Sequence, residues 1–519
     1  MKSTTKTLLA MSLLLFWSTV SADGVIKNGA KLKLKKGTHL IVKNDLQIQN
    51  NASVIIEGML SIDGELSNEN SYQGIIITSD LDNTGSLIQE MGNAPATVNR
   101  FMRNRSTHFI GAPVTGELRE VLDFGGDPFT QVYSFNEASS NYQIINDGNH
   151  ELINGAGYRY YIGSSSSQGV TPSFQGELFA EDLELDHNSI PALQHQHRGF
   201  NLIANPYASA IDWDDESIEV SNMEHSVWVY DGRKRRFRYR NSSGYGSLTE
   251  GIIPMGQGFL IKTRTEEASI TIPKQARRHA ANEFYKSENA IDSEVSYLVF
   301  HVKQDTLEDE IWLGYQWDSS DDFDNGIDVS KLFHFEEVPQ FYSVQNEDQL
   351  SINMIEEPLE TAKIIPIHFL AGIAGTHELS LVEFQGFGDK DLLLEDLLTG
   401  IWYPIEDFSS VEFQSSPEDE SLRFLLHINQ TVNTNDLGSE LSNVQIYSWD
   451  KQIYINSKGV LKNQTKQVKI FDINGRLLSQ QNSAAEPETI IKNPFQNQIL
   501  IIECIYTKQS FQQKIIKLK

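Results

Sequence analysis

Between Gly24 and Leu87, six short β-prone runs follow one another almost without pause: Lys31-Leu-Lys-Leu-Lys, Thr38-His-Leu-Ile-Val, Asp45-Leu-Gln-Ile, Ser53-Val-Ile-Ile, Met59-Leu-Ser-Ile and Gly74-Ile-Ile-Ile-Thr. Each alternates apolar and polar residues or nearly so, which turns one face of a strand inward. Most are bounded by Gly, Asn or Asp, as at Asn28-Gly29, Lys36-Gly37, Glu57-Gly58 and Asp63-Gly64. Strands this short at this spacing suit the rungs of a β-solenoid, with an ordinary meander as the second arrangement. Five lysines between Lys31 and Lys43 make the region locally basic. Alternating lysines are also what an edge strand uses to refuse other chains, and that reading is preferred.

The same strand-and-turn density continues from Arg100 to about Asn282, with no window of sustained helical periodicity. A chain of 519 residues exceeds one hydrophobic core. The expected architecture is all-β and multi-domain: a short β-solenoid-like segment over 23–98, a β-rich middle domain over 99–285, an acidic immunoglobulin-like β-sandwich over 291–440 and a small C-terminal β-sandwich over 444–519. The polar stretch Ala280 to Asp292 reads as the linker before the acidic domain. Residues 1–22 are set apart, because Lys2 and Lys6, the apolar run Leu8 to Val20 and the small residues Val20-Ser21-Ala22 have the layout of a signal peptide cut after Ala22. No later stretch approaches the ~20 apolar residues of a spanning helix, and no cysteine follows the cut to carry a lipid anchor. The single cysteine, Cys504, sits in the last apolar run and reads as a buried free thiol.

Charge is unevenly placed. From Ile291 to Glu440 there are 32 Asp and Glu against five basic residues, nearly the whole net charge of -28. Such a surface repels nucleic acid and favours solubility and divalent cations. Within it, Asp318-Ser-Ser-Asp-Asp-Phe-Asp-Asn-Gly-Ile-Asp328 crowds five carboxylates around one turn, with Asp322, Asp324 and Asp328 spaced like part of a calcium loop, although no closing Glu follows. A solvated acidic turn and a calcium-stabilised one both fit, the first better; no other cofactor is expected.

The opposite charge gathers at Arg233-Lys-Arg-Arg-Phe-Arg-Tyr-Arg240, where alternation puts Lys234, Arg236, Arg238 and Arg240 on one face and Phe237 and Tyr239 on the other. A solvated hairpin face that docks onto the acidic domain is the preferred reading, and a grip on an anionic glycan or surface polymer the second, because guanidinium forks hold carboxylate and sulfate bidentately. His195 and His197, with His187 nearby, could supply zinc ligands, but no acidic fourth ligand follows at close spacing. Tyr158, Tyr160, Tyr161 and Tyr245 are candidates for an exposed glycan-stacking face, with core packing the better expectation for most. No nucleophile elbow, metalloprotease helix or phosphate-binding glycine loop is present, and carboxylates in an acidic domain are not evidence of a glycosidase pair. No residue is therefore assigned a catalytic, cofactor-binding or metal role.

The end of the chain carries the most specific pattern. Gln467-Val-Lys-Ile-Phe-Asp-Ile-Asn-Gly-Arg-Leu-Leu478 puts Val468 and Ile470 on one strand face and supplies Asn474-Gly475 for a tight hairpin; Ile499 to Tyr506 and Phe511 to Lys519 follow as apolar strands. This run resembles the C-terminal sorting domain of proteins exported by the type IX (Por) secretion system of Bacteroidetes, with Asn497 to Glu503 standing where that family has a Gly-Val-Tyr-like segment. Upstream, Phe109-Ile-Gly-Ala-Pro, Gly199-Phe-Asn-Leu-Ile-Ala-Asn-Pro-Tyr, Val227-Trp-Val-Tyr-Asp-Gly and Gly251-Ile-Ile-Pro-Met-Gly-Gln-Gly-Phe look like a domain of large surface proteins from the same bacteria. The resemblance implies export by the type IX machinery, removal of the tail outside the cell and a secreted or outer-surface location. The function expected is a non-catalytic β protein in adhesion, matrix or glycan contact, with a secreted polysaccharide hydrolase as the alternative.

Overall fold

A computed structural model of the chain describes residues 6–7, 17–20, 22–103, 105–123, 130–139, 141–163, 169–187, 199–232, 234–280, 295–333, 335–357, 362–388, 390–428, 444–449, 452–457, 464–472, 476–486, 488–492, 499–506 and 510–516. Strands and short 3-10 turns make up its regular structure, with no α-helix among the described residues. Two compact units divide the chain: the first holds Met1–Glu357, Ala371–Gly386 and Val411–Pro417, and the second holds Pro358–Leu370, Phe387–Ser410 and Glu418–Lys519.

The first unit begins as a three-sided parallel solenoid. Gly24–Ile26, Leu46–Ile48 and the end of Met59–Asn68 stack on one side, and Lys31–Leu34, Ser53–Ile56, Ile75–Ile77 and Pro95–Asn99 on the second. His39–Val42, the start of Met59–Asn68 and Ser86–Met91 form the third. Parallel stacking excludes the meander. The alternation works as expected, because Val42, Leu46, Ile48, Val54, Ile56, Leu60, Ile62, Ile75 and Ile77 line one buried interior, each worth about 1.5–3 kcal/mol in burial. Gly29 and Gly37 turn the corners at φ +81° and +76°, conformations that a side chain resists. Lys31–Leu34 ends its sheet with Lys31 and Lys33 exposed, in keeping with edge protection. Lys6–Thr7 and Trp17–Val20 pair in parallel with Gly24–Ile26 and His39–Val42; most of 1–22 lies outside the described residues.

Beyond the solenoid, the middle and acidic stretches share one core. Phe200–Ala204, Gly258–Lys262, Ser226–Asp231 and Arg236–Asn241 form an antiparallel sheet in that order. One face packs Ile203, Val227, Val229, Phe259 and Ile261 with Tyr207, Ile211, Trp213 and Ile270. The other packs Phe200, Leu202, Trp228, Tyr230, Phe237, Tyr239 and Leu260 with Phe109 and, from the acidic stretch, Tyr297, Val299, Trp312, Val329, Leu332, Ile352 and Met354. A sheet covered on both faces has no solvated side, which governs the fate of its charged residues. The expected linker lies almost wholly within residues 281–294, outside the described set. After it, Gln340–Gln345, Asp348–Ile355, Leu307–Tyr315, Ser296–Gln304, Gly375–Gln385 and Ser410–Ser415 neighbour one another, all antiparallel where the register is given except Leu307–Tyr315 with Asp348–Ile355.

In the second unit, Ile401–Pro404, Leu392–Asp396, Leu422–Ile428 and Lys363–Leu370 pair antiparallel in that order. The stretch 291–440 is thus divided between the two units. The C-terminal part has a three-stranded and a four-stranded antiparallel sheet around Ile453, Ile455, Val468, Ile470, Ile491, Leu500, Ile502, Cys504 and Tyr506. Val468 and Ile470 share that core as their alternation requires, and Lys466–Asp472 pairs with Leu477–Ser483 as a hairpin. Asn474 and Gly475 lie outside the described residues.

Candidate functional site

The basic hairpin is the first candidate to resolve. Its strands Ser226–Asp231 and Arg236–Asn241 pair antiparallel, with Arg235 in the turn at φ +57°. Arg233 lies outside the described residues. Arg236, Arg238 and Arg240 are buried rather than solvated. Arg236 donates from Nη1 to Glu310 Oε2 at 3.0 Å and stands 3.5 Å from Glu308, which Lys234 Nζ reaches at 3.2 Å. Arg235 pairs with Glu337. Arg238 grips Asp231 through Nε at 3.0 Å, and Arg240 forks onto Asp214 at 2.7 and 2.6 Å. Docking onto the acidic stretch is therefore what the hairpin does, and the expected solvated face is wrong because the sheet is packed on both sides. Arg236, Arg238 and Arg240 meet carboxylates of the first unit while buried, so none of these three is offered to an anionic glycan.

Opposite the hairpin lies a ladder of buried acids. Glu310 accepts from Arg236 and from Trp312 Nε1 at 3.3 Å and stands 3.0 Å from His301 Nε2. Burial pushes its carboxyl up, but Arg236, His301 and Trp312 outweigh it and hold the group well below the usual carboxylate range. Asp309, its neighbour, pairs with buried Lys331 and accepts from Phe341 N at 2.6 Å. Glu224, also buried, takes Lys262 at 3.2 Å, Arg264 at 3.3 Å and the Ser330 hydroxyl at 2.5 Å. None of these acids was singled out from sequence: Asp309 and Glu310 are consecutive in strand Leu307–Tyr315 and point to opposite faces, and alternation does not tell that both faces are covered.

The acidic turn is organised differently. Asp328 accepts from Asp324 N at 2.9 Å and from Met354 N at 2.8 Å, Asp324 accepts from Ser320 N at 2.6 Å, and Asp321 from Glu356 N at 3.2 Å. Asp322 accepts from Asn346 Nδ2 at 2.8 Å. The carboxylates thus clamp backbone amides around the turn. Among the described residues, no group of three or more His, Cys, Asp or Glu is arranged to hold a metal. Burial raises the Asp328 carboxyl from its ordinary 3.8 to about 7, against the two amides and helped by Asp324 and Glu224. Beside this turn Trp317 is 78% exposed, the most exposed large apolar side chain described.

The remaining candidates separate cleanly. Tyr158, Tyr160 and Tyr245 are core residues, while Tyr161 is 37% exposed. His195 and His197 lie outside the described residues, and of His187 only the backbone, paired with Ala268, is described. Cys504 is buried, with its thiol pushed up to about 12 by desolvation. One cluster that sequence reasoning missed runs from His39 Nε2 to Ser61 Oγ at 2.8 Å, on to His279 Nε2 at 2.9 Å, and from His279 Nδ1 to Ser86 Oγ at 2.8 Å. Burial lowers His279 to about 3, so the imidazole is neutral and ties the end of the middle stretch to the solenoid. No sequence pattern links residues that far apart.

Two families described only as domains of unknown function match the chain, DUF8693 over residues 217–428 and DUF8694 over residues 432–517. The first span joins the basic hairpin to the acidic strands on which it docks. The chain is 24% identical over 439 residues to the minor fimbrium subunit Mfa5 of Porphyromonas gingivalis, covering 72% of this chain and 34% of that protein. It spans about a third of that relative's length. A solved structure of a tetra-tandem repeat in the extending region of a large adhesion protein aligns over 75% of this chain and 91% of its own at 10% identity, with a TM-score of 0.11, too low to carry an argument. This distant relationship to a fimbrium subunit points to a bacterial surface protein. No helix among the described residues is long and apolar enough to cross a membrane.

Proposed function

We propose that the chain is a secreted or cell-surface, non-catalytic β protein acting in adhesion, matrix or glycan contact. Residues 1–22 serve as its export leader and 444–519 as a tail addressed to the type IX secretion machinery. The likeness over most of the chain to a fimbrium subunit carries this reading. The site chemistry supports it, since the arginines that alternation offers to an anionic ligand are paired with carboxylates within the first unit. Among the groups the first unit exposes are Trp317, next to Asp318 in the chain, and Asp321 and Asp322 on the turn that follows. An indole beside carboxylates suits a sugar ring, stacked on its apolar face and bonded at its hydroxyls, better than an anionic polymer.

Fractionation of the native host with mass spectrometry of the mature termini tests the proposal. A chain starting near Asp23 and lacking the segment after about Val444, on the cell surface or in the medium, is the expected result. An intact chain retained inside the cell overturns it.

A further inference from the structure

Lys331 and Asp309 face each other with side chains only 1% and 2% exposed. An ammonium has three N–H donors and, in so dry a place, needs acceptors for all of them. Among the described residues, Asp309 is the sole hydrogen-bond partner of Lys331 Nζ. The charged form is thus poorly served, and burial lowers the lysine from its ordinary value, although Asp309 and Glu310 act the other way. Glu310 and Arg236 exert opposing fields on Lys331, and Glu310 itself is committed to Arg236 and Trp312. A second feature lies on the acid. Phe341 N donates to Asp309 Oδ2 at 2.6 Å, where a backbone amide can stabilise charge developing on that oxygen.

We propose that Lys331 and Asp309 are joined by an isopeptide bond, a covalent modification built into the first unit. A proton passes from Nζ to the carboxylate along their hydrogen bond, giving a neutral amine and a neutral acid. The amine lone pair attacks Cγ, the new C–N bond forms and the bond from Cγ to Oδ1 breaks. The acid proton passes from Oδ2 to Oδ1 as the tetrahedral carbon forms, and Oδ1 leaves as water with it and one amine proton, while Oδ2 stays as the amide oxygen under Phe341 N. No oxidant or co-reactant is needed. The product is uncharged and carries a single N–H. The bond ties strand Leu307–Tyr315 to the residue after Val329–Ser330 and encloses the acidic turn in a covalent loop.

The full chain, purified and digested with trypsin after denaturation, decides the matter without any folding variant. No Lys or Arg lies between Lys303 and Lys331, nor between Lys331 and Lys363. A bonded Lys331 resists cleavage, so the expected product is the peptide Gln304 to Lys363, lighter than its sequence by one water. Asp309→Ala restores cleavage at Lys331 whether or not that variant folds. Recovery of Gln304 to Lys331 at full mass from the wild-type chain overturns the proposal, as does resistance at Lys331 that persists in Asp309→Ala.

Discussion

Two charged runs, Arg233 to Arg240 and Asp318 to Asp328, look alike in sequence as dense blocks of one sign beside a turn, yet they end in opposite places. The basic run is strand, and its sheet is covered on both faces, so each guanidinium described reaches an acid inside the molecule. The acidic run is turn, and its carboxylates spend themselves on nearby amides while Asp318, Asp321 and Asp322 face water. The physics of the difference is desolvation. A buried charge must be answered by another buried charge, whereas an exposed one is answered by solvent. The hairpin is therefore a structural joint and the turn a surface.

The sharpest way to break that contrast is to remove one cation. Arg236→Ala leaves Glu310 buried with its principal counter-charge gone, and a loss on the order of 3–5 kcal/mol is expected for such a break, read as a lowered denaturant midpoint of the first unit. A loss near zero means that the hairpin is solvated after all. At the small end, Asp322→Asn keeps an oxygen for Asn346 on an exposed turn, and stability should stay within about 0.5 kcal/mol. A loss comparable to that of Arg236→Ala would place the acidic turn inside the joint.

Much of the framework is legible in the residues. Period-two alternation and glycine-marked corners give the solenoid rungs, and Val468, Ile470 and Cys504 fall in the C-terminal core as their pattern requires. The docking of the hairpin is legible in part. Alternation tells which residues share a face of Arg236–Asn241 but not what covers that face, so the grip on an anionic ligand stays open as the second reading behind docking. Asp309, Glu310 and Lys331 stay hidden for a related reason. In a stretch this acidic, two more carboxylates carry no distinction until the fold shows that they are buried. The chain from His39 to Ser86 depends on contacts across more than two hundred residues and leaves no local trace.

The central claim is that the basic hairpin and the acidic strands form one folded body. Hydrogen exchange with mass spectrometry across a urea series tests it directly, by comparing the amides of Arg236–Asn241 with those of Leu307–Tyr315. The joint predicts that both sets open with the same denaturant dependence. Exchange of Arg236–Asn241 at low urea while Leu307–Tyr315 stays protected would contradict it.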